Sequence, residues 1–378
     1  MLPQTICFAV GALNTVCGEA NKLRAKRALI VTDPTVYKSG LADTVKNQLS
    51  DAGLSVEVFS ESEPEPILPK LNAGAKTLQK GGYDLLVGVG GGSSMDTAKG
   101  LSILLARGGE GQNYVGVGKV PGPGIPVFAI PTTAGTGSEV TNIAIFGGPD
   151  KELKLAIVSP YILARLALVD PTLTYGCPRG VTAAAGIDAL VHAIESYTSI
   201  RSNNFTDAVA LEAMRLIVGN LRIAVNNGSD EEARNHMSEG ALLAGIAFGS
   251  AGVGAVHALA YPLGGRFHVS HGVANGLLLP YVMECNLAAN LSKHAIVAQI
   301  LGEKTEGLSL REAAERGVEA AKAIAADIGI PLHLRDLEVP EEALEGMATA
   351  TMDVTRLLAN NPKKLTLDDV RGIWRNAW

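Results

Sequence analysis

Up to residue 171 the chain alternates short apolar runs with amphipathic stretches. Residues 28–32 (ALIVT) carry an unbroken apolar run, the mark of a parallel strand buried on both faces, and residues 40–52 follow as a helix. The pattern repeats with a strand at 55–59 and a helix at 71–80, then a strand at 84–89 and a helix at 94–106. Residues 126–131 and 167–171 read as further strands that lead into functional turns. Strand–helix alternation of this kind predicts an open, mainly parallel sheet covered by helices. Beyond Pro171 the strand signal nearly vanishes. Ala/Leu/Glu-rich segments at 182–198, 204–226, 230–248, 252–262, 272–288, 292–301, 309–328 and 340–350 read as helices. The expectation is a Rossmann-like α/β domain over residues 1–172 and an all-α helical bundle over residues 173–378.

At 378 residues the chain exceeds the size at which a single core stops growing, which agrees with two domains. A formal charge of −6 without any run of basic residues argues against nucleic acid and anionic membranes as partners. Cys7, Cys17, Cys177 and Cys285 are scattered with no CxxC pair, which predicts reduced, buried and inert thiols. The N-terminus lacks a charged segment followed by an apolar one, and no apolar run approaches membrane-spanning length. A cytoplasmic protein without membrane association is expected.

Three stretches carry chemistry. Gly90-Gly91-Gly92-Ser93-Ser94-Met95-Asp96-Thr97-Ala98-Lys99 follows a strand and opens a helix. Glycines there let the backbone approach a diphosphate, and the helix start offers unpaired N–H groups and the positive end of its dipole. A plain turn with Ser94 as helix cap is the competing reading. Pro131 to Thr141 (PTTAGTGSEVT) is a second loop whose hydroxyls and amides suit phosphates, ribose or a nicotinamide amide. Asp33 ends the first clear strand, where a carboxylate holds a ribose diol and repels a 2′-phosphate, so NAD(H) is expected over NADP(H); a turn or helix cap is the alternative.

The third stretch runs from Asp188 to His271. Asp188 and His192 stand four residues apart in a Pro-free, Ala-rich helical run and share one face; His257 and His271 follow, each beside small residues. One carboxylate and three imidazoles suit Fe(II) or Zn(II), with a position left open for water or substrate. Spacing alone leaves a capping Asp and a carbonyl-bonded His equally open.

Taken together, GGGSSMDTAK at 90–99, PTTAGTGSEVT at 131–141, GIDALVHAIESY at 186–197, HALAYPLGG at 257–265, HGVANGLLLPYV at 271–282 and the terminal NNPKKLTLDDVRGIW resemble the iron-dependent (group III) alcohol dehydrogenase family over essentially the whole chain. The resemblance implies a dehydroquinate synthase-like architecture. It implies Asp188, His192, His257 and His271 as metal ligands, with Fe(II) first and Zn(II) or Mn(II) as alternatives. It implies Gly91, Gly92, Ser93 and Asp96 at the cofactor diphosphate, Thr132, Thr133 and Thr136 in the second loop, and Lys154 near the cofactor ribose. Many relatives have histidine four residues after the third ligand, where this chain has Tyr261. A phenol, with an ordinary pKa of about 10, is a poor base at neutral pH, but it can donate or relay a proton. His268, three residues before His271, is a spare imidazole and a second candidate for a catalytic part.

The reaction implied is reversible oxidation of a small alcohol to an aldehyde, with NAD(H) as hydride carrier and a divalent metal as Lewis acid. Asn142, Phe248 and Val253, together with Tyr261, are expected to line the substrate pocket; being uncharged, they favour small alcohols, aldehydes or semialdehydes. Maleylacetate reductase, hydroxyacid–oxoacid transhydrogenase and dehydroquinate synthase-like lyase activities are the alternatives. A homodimer or larger homo-oligomer is implied by the resemblance alone.

Overall fold

The computed structural model describes residues 1–148 and 154–378. Its contacts divide the chain into two compact units, Met1–Gly176 and Cys177–Trp378, a few residues beyond the expected boundary at 172.

Among the described residues the first unit holds nine strands: β1 (Thr5–Phe8), β2 (Arg27–Val31), β3 (Ser55–Phe59), β4 (Leu85–Gly90), β5 (Gly116–Val117), β6 (Val127–Pro131), β7 (Ile143–Gly147), β8 (Lys154–Val158) and β9 (Leu166–Val169). Six of them form one sheet in the order β1-β9-β6-β4-β2-β3, and every pairing in it is parallel. Successive side chains of a strand point to opposite faces, and both faces here are covered. Ala28, Ile30, Leu85, Val87, Val89, Phe128, Ile130 and Leu168 enter one core; Leu29, Val31, Leu86 and Val127 enter the other. That double burial is why the runs lack polar alternation.

From β2 the chain moves outward to β3, returns to β4 on the other side of β2, and continues outward through β6 and β9. The reversal between β2 and β4 is a topological switch point, the place where open parallel sheets bind ligands at the carboxyl ends of their strands. Strand β1 adds to the far edge against β9, and a small three-stranded sheet, β5-β8-β7, stands apart. The apolar pattern predicted neither: β1 and β5 span four and two residues and contribute little continuous signal, whereas the apolar runs of β7 (IAIFG) and β8 (KLAIV) carried a strand signal that went unassigned.

The second unit is helical. With α1 assigned to Gly92–Arg107 in the first unit, the helices that carry the site are α2 (Arg179–Thr198), α3 (Asn204–Asn226), α4 (Glu231–Ala251), α5 (Ala255–Phe267) and α6 (His271–Asn286). From Gly186 to Thr198 every residue of α2 is buried, since α3, α4 and α6 all pack on it. Helices α4 and α5 bend by 103° at a short break. Gly252 makes that turn at φ 76°, and any Cβ there would lie 2.6 Å from Asn360 Nδ2. Helix α5 runs past the expected end at 262: Pro262 sits inside it, and its buried surroundings offset the roughly 3 kcal/mol that a missing backbone bond costs. A final helix, Leu367–Ala377, opened by a capping box between Thr366 and Asp369, was also not predicted.

The four cysteines are free and only partly buried, which corrects the expectation of fully buried thiols. Among the described residues no single helix is long and apolar enough to cross a membrane.

Candidate metal centre and cofactor loops

Asp188 and His192 project from the same face of α2, one turn apart; His257 is the third residue of α5 and His271 the first of α6. One potential ligand atom from each of Asp188, His192 and His257 lies within 4.8 Å of the others. Asp188 Oδ1 is 3.7 Å from His257 Nε2 and 3.8 Å from His271 Nε2. Bonds of about 2.0–2.2 Å to a shared cation set tetrahedral donor atoms roughly 3.3–3.6 Å apart, so these pairs need only a small contraction. Asp188, His192 and His257 are buried, whereas the His271 side chain is 44% exposed and forms the open edge. Burial alone would raise the Asp188 carboxyl, but the imidazoles of His192, His271 and His257 and the Asn275 amide outweigh it and hold the group below its ordinary range, hence ionised.

Asn275, one turn beyond His271 on α6, tests whether a cation fits. Its Nδ2 stands 2.7 Å from Asp188 Oδ1, 3.1 Å from His271 Nε2 and 3.2 Å from His257 Nε2. With both imidazoles neutral and unprotonated at Nε2, the form that ligates a metal, two N–H groups face three acceptors, and the buried Asn275 Oδ1 has no hydrogen-bond partner. Converging lone pairs in excess of the available hydrogens are what a bound cation relieves, and the donor chemistry, one carboxylate with imidazoles, fits Fe(II) or Zn(II).

Aromatic packing fixes the rings. Phe248 stacks on His192 with centroids 4.2 Å apart, and His192 stacks on His257 at 4.7 Å. Of the expected pocket residues, Phe248 therefore forms a wall of the metal centre. Val253 is buried in the turn before α5, where its carbonyl accepts a bond from Asn360 Nδ2. Asn142 lies in the first unit, half-buried just before β7, with its carbonyl bonded by the Ser159 N–H. Tyr261 is half-buried one turn after His257 on the same helix. His268 is exposed, left-handed at φ 54°, and ends α5 through an N–H bond to the Gly264 carbonyl. That placement matches a solvated capping residue.

In the first unit Asp33, the glycine turn at 90–92 and Thr132, Thr133 and Thr136 of the second loop lie together at the switch point. Gly91 precedes α1, and no side chain caps the helix, so its first amides face outward unshared by any cap. Ser94 does not cap it either; its hydroxyl donates to Asp33 Oδ2 at 3.4 Å. Gly90 has φ 150° and would press a Cβ to 2.4 Å from Ser94 Oγ, and a Cβ on Gly92 would sit 2.9 Å from Thr136 Cγ2. The two loops thus touch through a missing side chain. Thr133 is the nearest neighbour of Gly91, and Thr132 donates its N–H to the Gly90 carbonyl. Asp33 does two things: Oδ1 caps the following helix through the Thr35 and Val36 amides, and Oδ2 faces the glycine turn.

Asp96 is turned inward. Its oxygens accept from Ser138 Oγ at 2.6 Å and from the Ile145 N–H at 2.9 Å, so it braces the second loop and both oxygens are engaged by protein. Lys99, fully buried, donates to the carbonyls of Ser138, Thr141 and Ile143 and to Ser138 Oγ. Lys99 closes the glycine-rich motif at 90–99, and nothing local in the sequence assigns it this bracing role. Burial pushes the nearby Glu139 carboxyl up to about 7 despite Lys99. Lys154 opens β8 and pairs with Glu65 at 2.8 Å. Sequence reasoning also missed Asn275, four residues after His271, and Glu195, seven after Asp188. Both lie on the stripes that carry the ligands, and helical spacing is the signal that would have found them.

A cluster of potential cation ligands in a helical unit, joined in one chain to an uncapped helix start at the switch point of a parallel sheet, suits a metal-dependent oxidoreductase. Family models agree, the iron-containing alcohol dehydrogenase model matching residues 3–171 and the C-terminal model of the Fe-containing alcohol dehydrogenase family matching residues 182–378. The chain is 43% identical over 371 residues to long-chain-alcohol dehydrogenase 1 of Geobacillus thermodenitrificans, covering 97% of this chain and 93% of that one. The crystal structure of a 1,3-propanediol oxidoreductase superposes with a TM-score of 0.97 at 40% identity, covering 100% and 99%. The structure of sulfoacetaldehyde reductase from Bifidobacterium kashiwanohense in complex with NAD+ does so with 0.89 at 30%, covering 100% and 97%. The chain belongs to the iron-containing alcohol dehydrogenase family.

Proposed function

We propose that this enzyme is an NAD(H)-dependent alcohol dehydrogenase that holds Fe(II) on Asp188, His192, His257 and His271 and interconverts small, uncharged primary alcohols and aldehydes. The observation that carries the reading is the donor cluster itself, buried on three sides and open at His271. When bound, the cation supplies a Lewis acid and the dinucleotide a hydride carrier. The chain's own groups do the rest. Ionised Asp188 offsets part of the cation's charge. Phe248 excludes water from one side of His192 and keeps its ring in plane for ligation. The amides at Gly92, Ser93 and Ser94 hold the diphosphate, with Thr132, Thr133 and Thr136 beside it. Asp33 Oδ2 accepts a ribose hydroxyl and repels a 2′-phosphate, hence NAD(H) over NADP(H). Lys154, held by Glu65, is the proposed hydrogen-bond donor to the ribose, and Asp96 keeps the second loop in position. Tyr261 is the proposed proton donor to the substrate oxygen in aldehyde reduction; as an acid it has no need to ionise beforehand. Exposed and occupied in ending α5, His268 is left out of this set.

The relatives support a primary alcohol or aldehyde as the reacting group, while one long chain and one anionic sulfonate among them leave the small, uncharged part of the reading to this chain's own residues. A long-chain alcohol, 1,3-propanediol and sulfoacetaldehyde share a terminal carbinol or aldehyde carbon. The apolar ring of Phe248, stacked on His192, supports an uncharged substrate for this chain. The proposal includes a cytoplasmic homodimer or larger homo-oligomer, testable by light scattering and cell fractionation.

Anaerobic purification with metal analysis, followed by NADH oxidation over a panel of aldehydes, tests the reading. Steady turnover that is lost on chelation and restored by Fe(II) is expected. Turnover unaffected by complete metal removal would overturn it, and phosphate release from a phosphorylated sugar acid would point instead to a lyase.

A further inference from the structure

Glu195 continues the stripe of α2 that begins with Asp188 and His192. It is 6% exposed, and both of its oxygens are committed: Oε2 lies 2.6 Å from His257 Nδ1, and Oε1 accepts the Val256 N–H at 2.7 Å. Neighbouring groups hold it there. A Cβ on Gly254 would come within 3.2 Å of Oε1, so glycine makes room for the carboxylate. Asn361 accepts the Ala255 N–H, and it exchanges two hydrogen bonds with Asn286. The start of α5 is thereby pinned from two sides, with a buried negative group at the positive end of the helix dipole.

We infer that Glu195 is a positioning residue for the metal centre, acting through His257; the inference rests on the reading of Asp188, His192, His257 and His271 as the cation site. A carboxylate at Nδ1 fixes the proton on that nitrogen, so Nε2 presents its lone pair to the cation, and the adjacent negative charge makes the ring a stronger donor. The same carboxylate ties the Val256 amide, one residue before the ligand, so ring orientation and backbone position are set by one side chain. Gln fits the volume but fails the chemistry. Its carboxamide has one accepting oxygen for two donors, and its NH2 meets an N–H.

The test measures Co(II) affinity by chelator competition, with the visible spectrum of the bound ion as a second readout, in the wild type, Glu195→Gln, His257→Ala and the double variant. Glu195→Gln is expected to weaken binding about 10- to 100-fold and to shift the spectrum. In the His257→Ala background it should add almost nothing, because the effect runs through that ring. Equal affinity for Glu195→Gln and wild type, or an undiminished loss in the His257→Ala background, would overturn the inference. Should the variant fail to fold, histidine-selective nitrogen NMR of the metal-free wild type decides: Glu195 should hold a proton on His257 Nδ1 before any ion binds, and a ring protonated on Nε2 alone refutes the pairing. A wild type that binds no Co(II) overturns the metal-centre reading first, and Glu195's role with it.

Discussion

Gly272→Ala gives the sharpest test of how the two ligand-bearing helices are held. Gly272 follows His271 in α6, and a Cβ there would lie 2.0 Å from the Ala184 carbonyl oxygen and 2.6 Å from its carbon. Ordinary contact begins near 3.4 Å, so the backbones must separate by about 1.4 Å. The obstacle cannot rotate aside. Ala184 lies one turn before Asp188 in α2, and in a regular helix its carbonyl accepts the Asp188 amide itself. One methyl group therefore pushes His271 away from Asp188, where metal–ligand distances tolerate about 0.2 Å. We expect a stability loss near the upper end of the roughly 1–3 kcal/mol typical of overpacking. Turnover should fall at least about 100-fold, the cost of about 1 Å of misplacement. Chelator competition, metal content after desalting and urea unfolding read both effects. Gly219→Ala on α3, where a Cβ meets nothing within 4 Å, is the control and should be neutral or slightly stabilising. If Gly272→Ala keeps wild-type metal affinity and unfolds within about 0.5 kcal/mol of wild type, the close packing of α2 on α6 does not set the site.

Glu139→Gln should remove a pH dependence. The Glu139 carboxyl rises from 4.5 when exposed to about 7 when buried. Below pH 4.5 it costs nothing; between 4.5 and 7 the unfolded chain loses the proton that the folded one keeps, so stability falls as pH rises, by about 3 kcal/mol in all. The variant should gain that amount over wild type at pH 8 and nothing at pH 4.5 by urea unfolding; a gain independent of pH would refute it. Asp33→Gly should raise kcat/KM with NADP(H) relative to NAD(H), and an unchanged ratio removes the ribose assignment; only a small loss of stability accompanies it, a few tenths of a kcal/mol, because Oδ1 also caps a helix but glycine is itself a tolerated cap. For Tyr261→Phe the expected result is a fall in kcat for aldehyde reduction of about 100-fold or more, with KM little changed. Retained kcat would limit the phenol to shaping the pocket.

Much of the architecture was legible along the chain. Unalternated apolar runs give parallel strands because both faces are covered, and α2 could be read as a helix from its Ala-rich, Pro-free run. Asp188 and His192 could be paired for the same reason: four residues is one helical turn, a purely local fact. The glycine turn at 90–92 was equally local, since strand, glycine and helix start are contiguous. What sequence left open was everything that depends on neighbours distant in the chain. Whether His257 and His271 meet Asp188 is decided by a 103° bend at Gly252 and by the contact of Gly272 with Ala184. The inward turn of Asp96, and the buried Lys99 that holds the second loop, depend on partners about 40 residues away. Glu195 stood on the right stripe of α2, but nothing local says that its carboxylate meets His257, which comes 62 residues later. Periodicity fixes which side chains share a face because the helix repeats every few residues; what that face meets is set by packing, and only the folded chain brings the groups into contact.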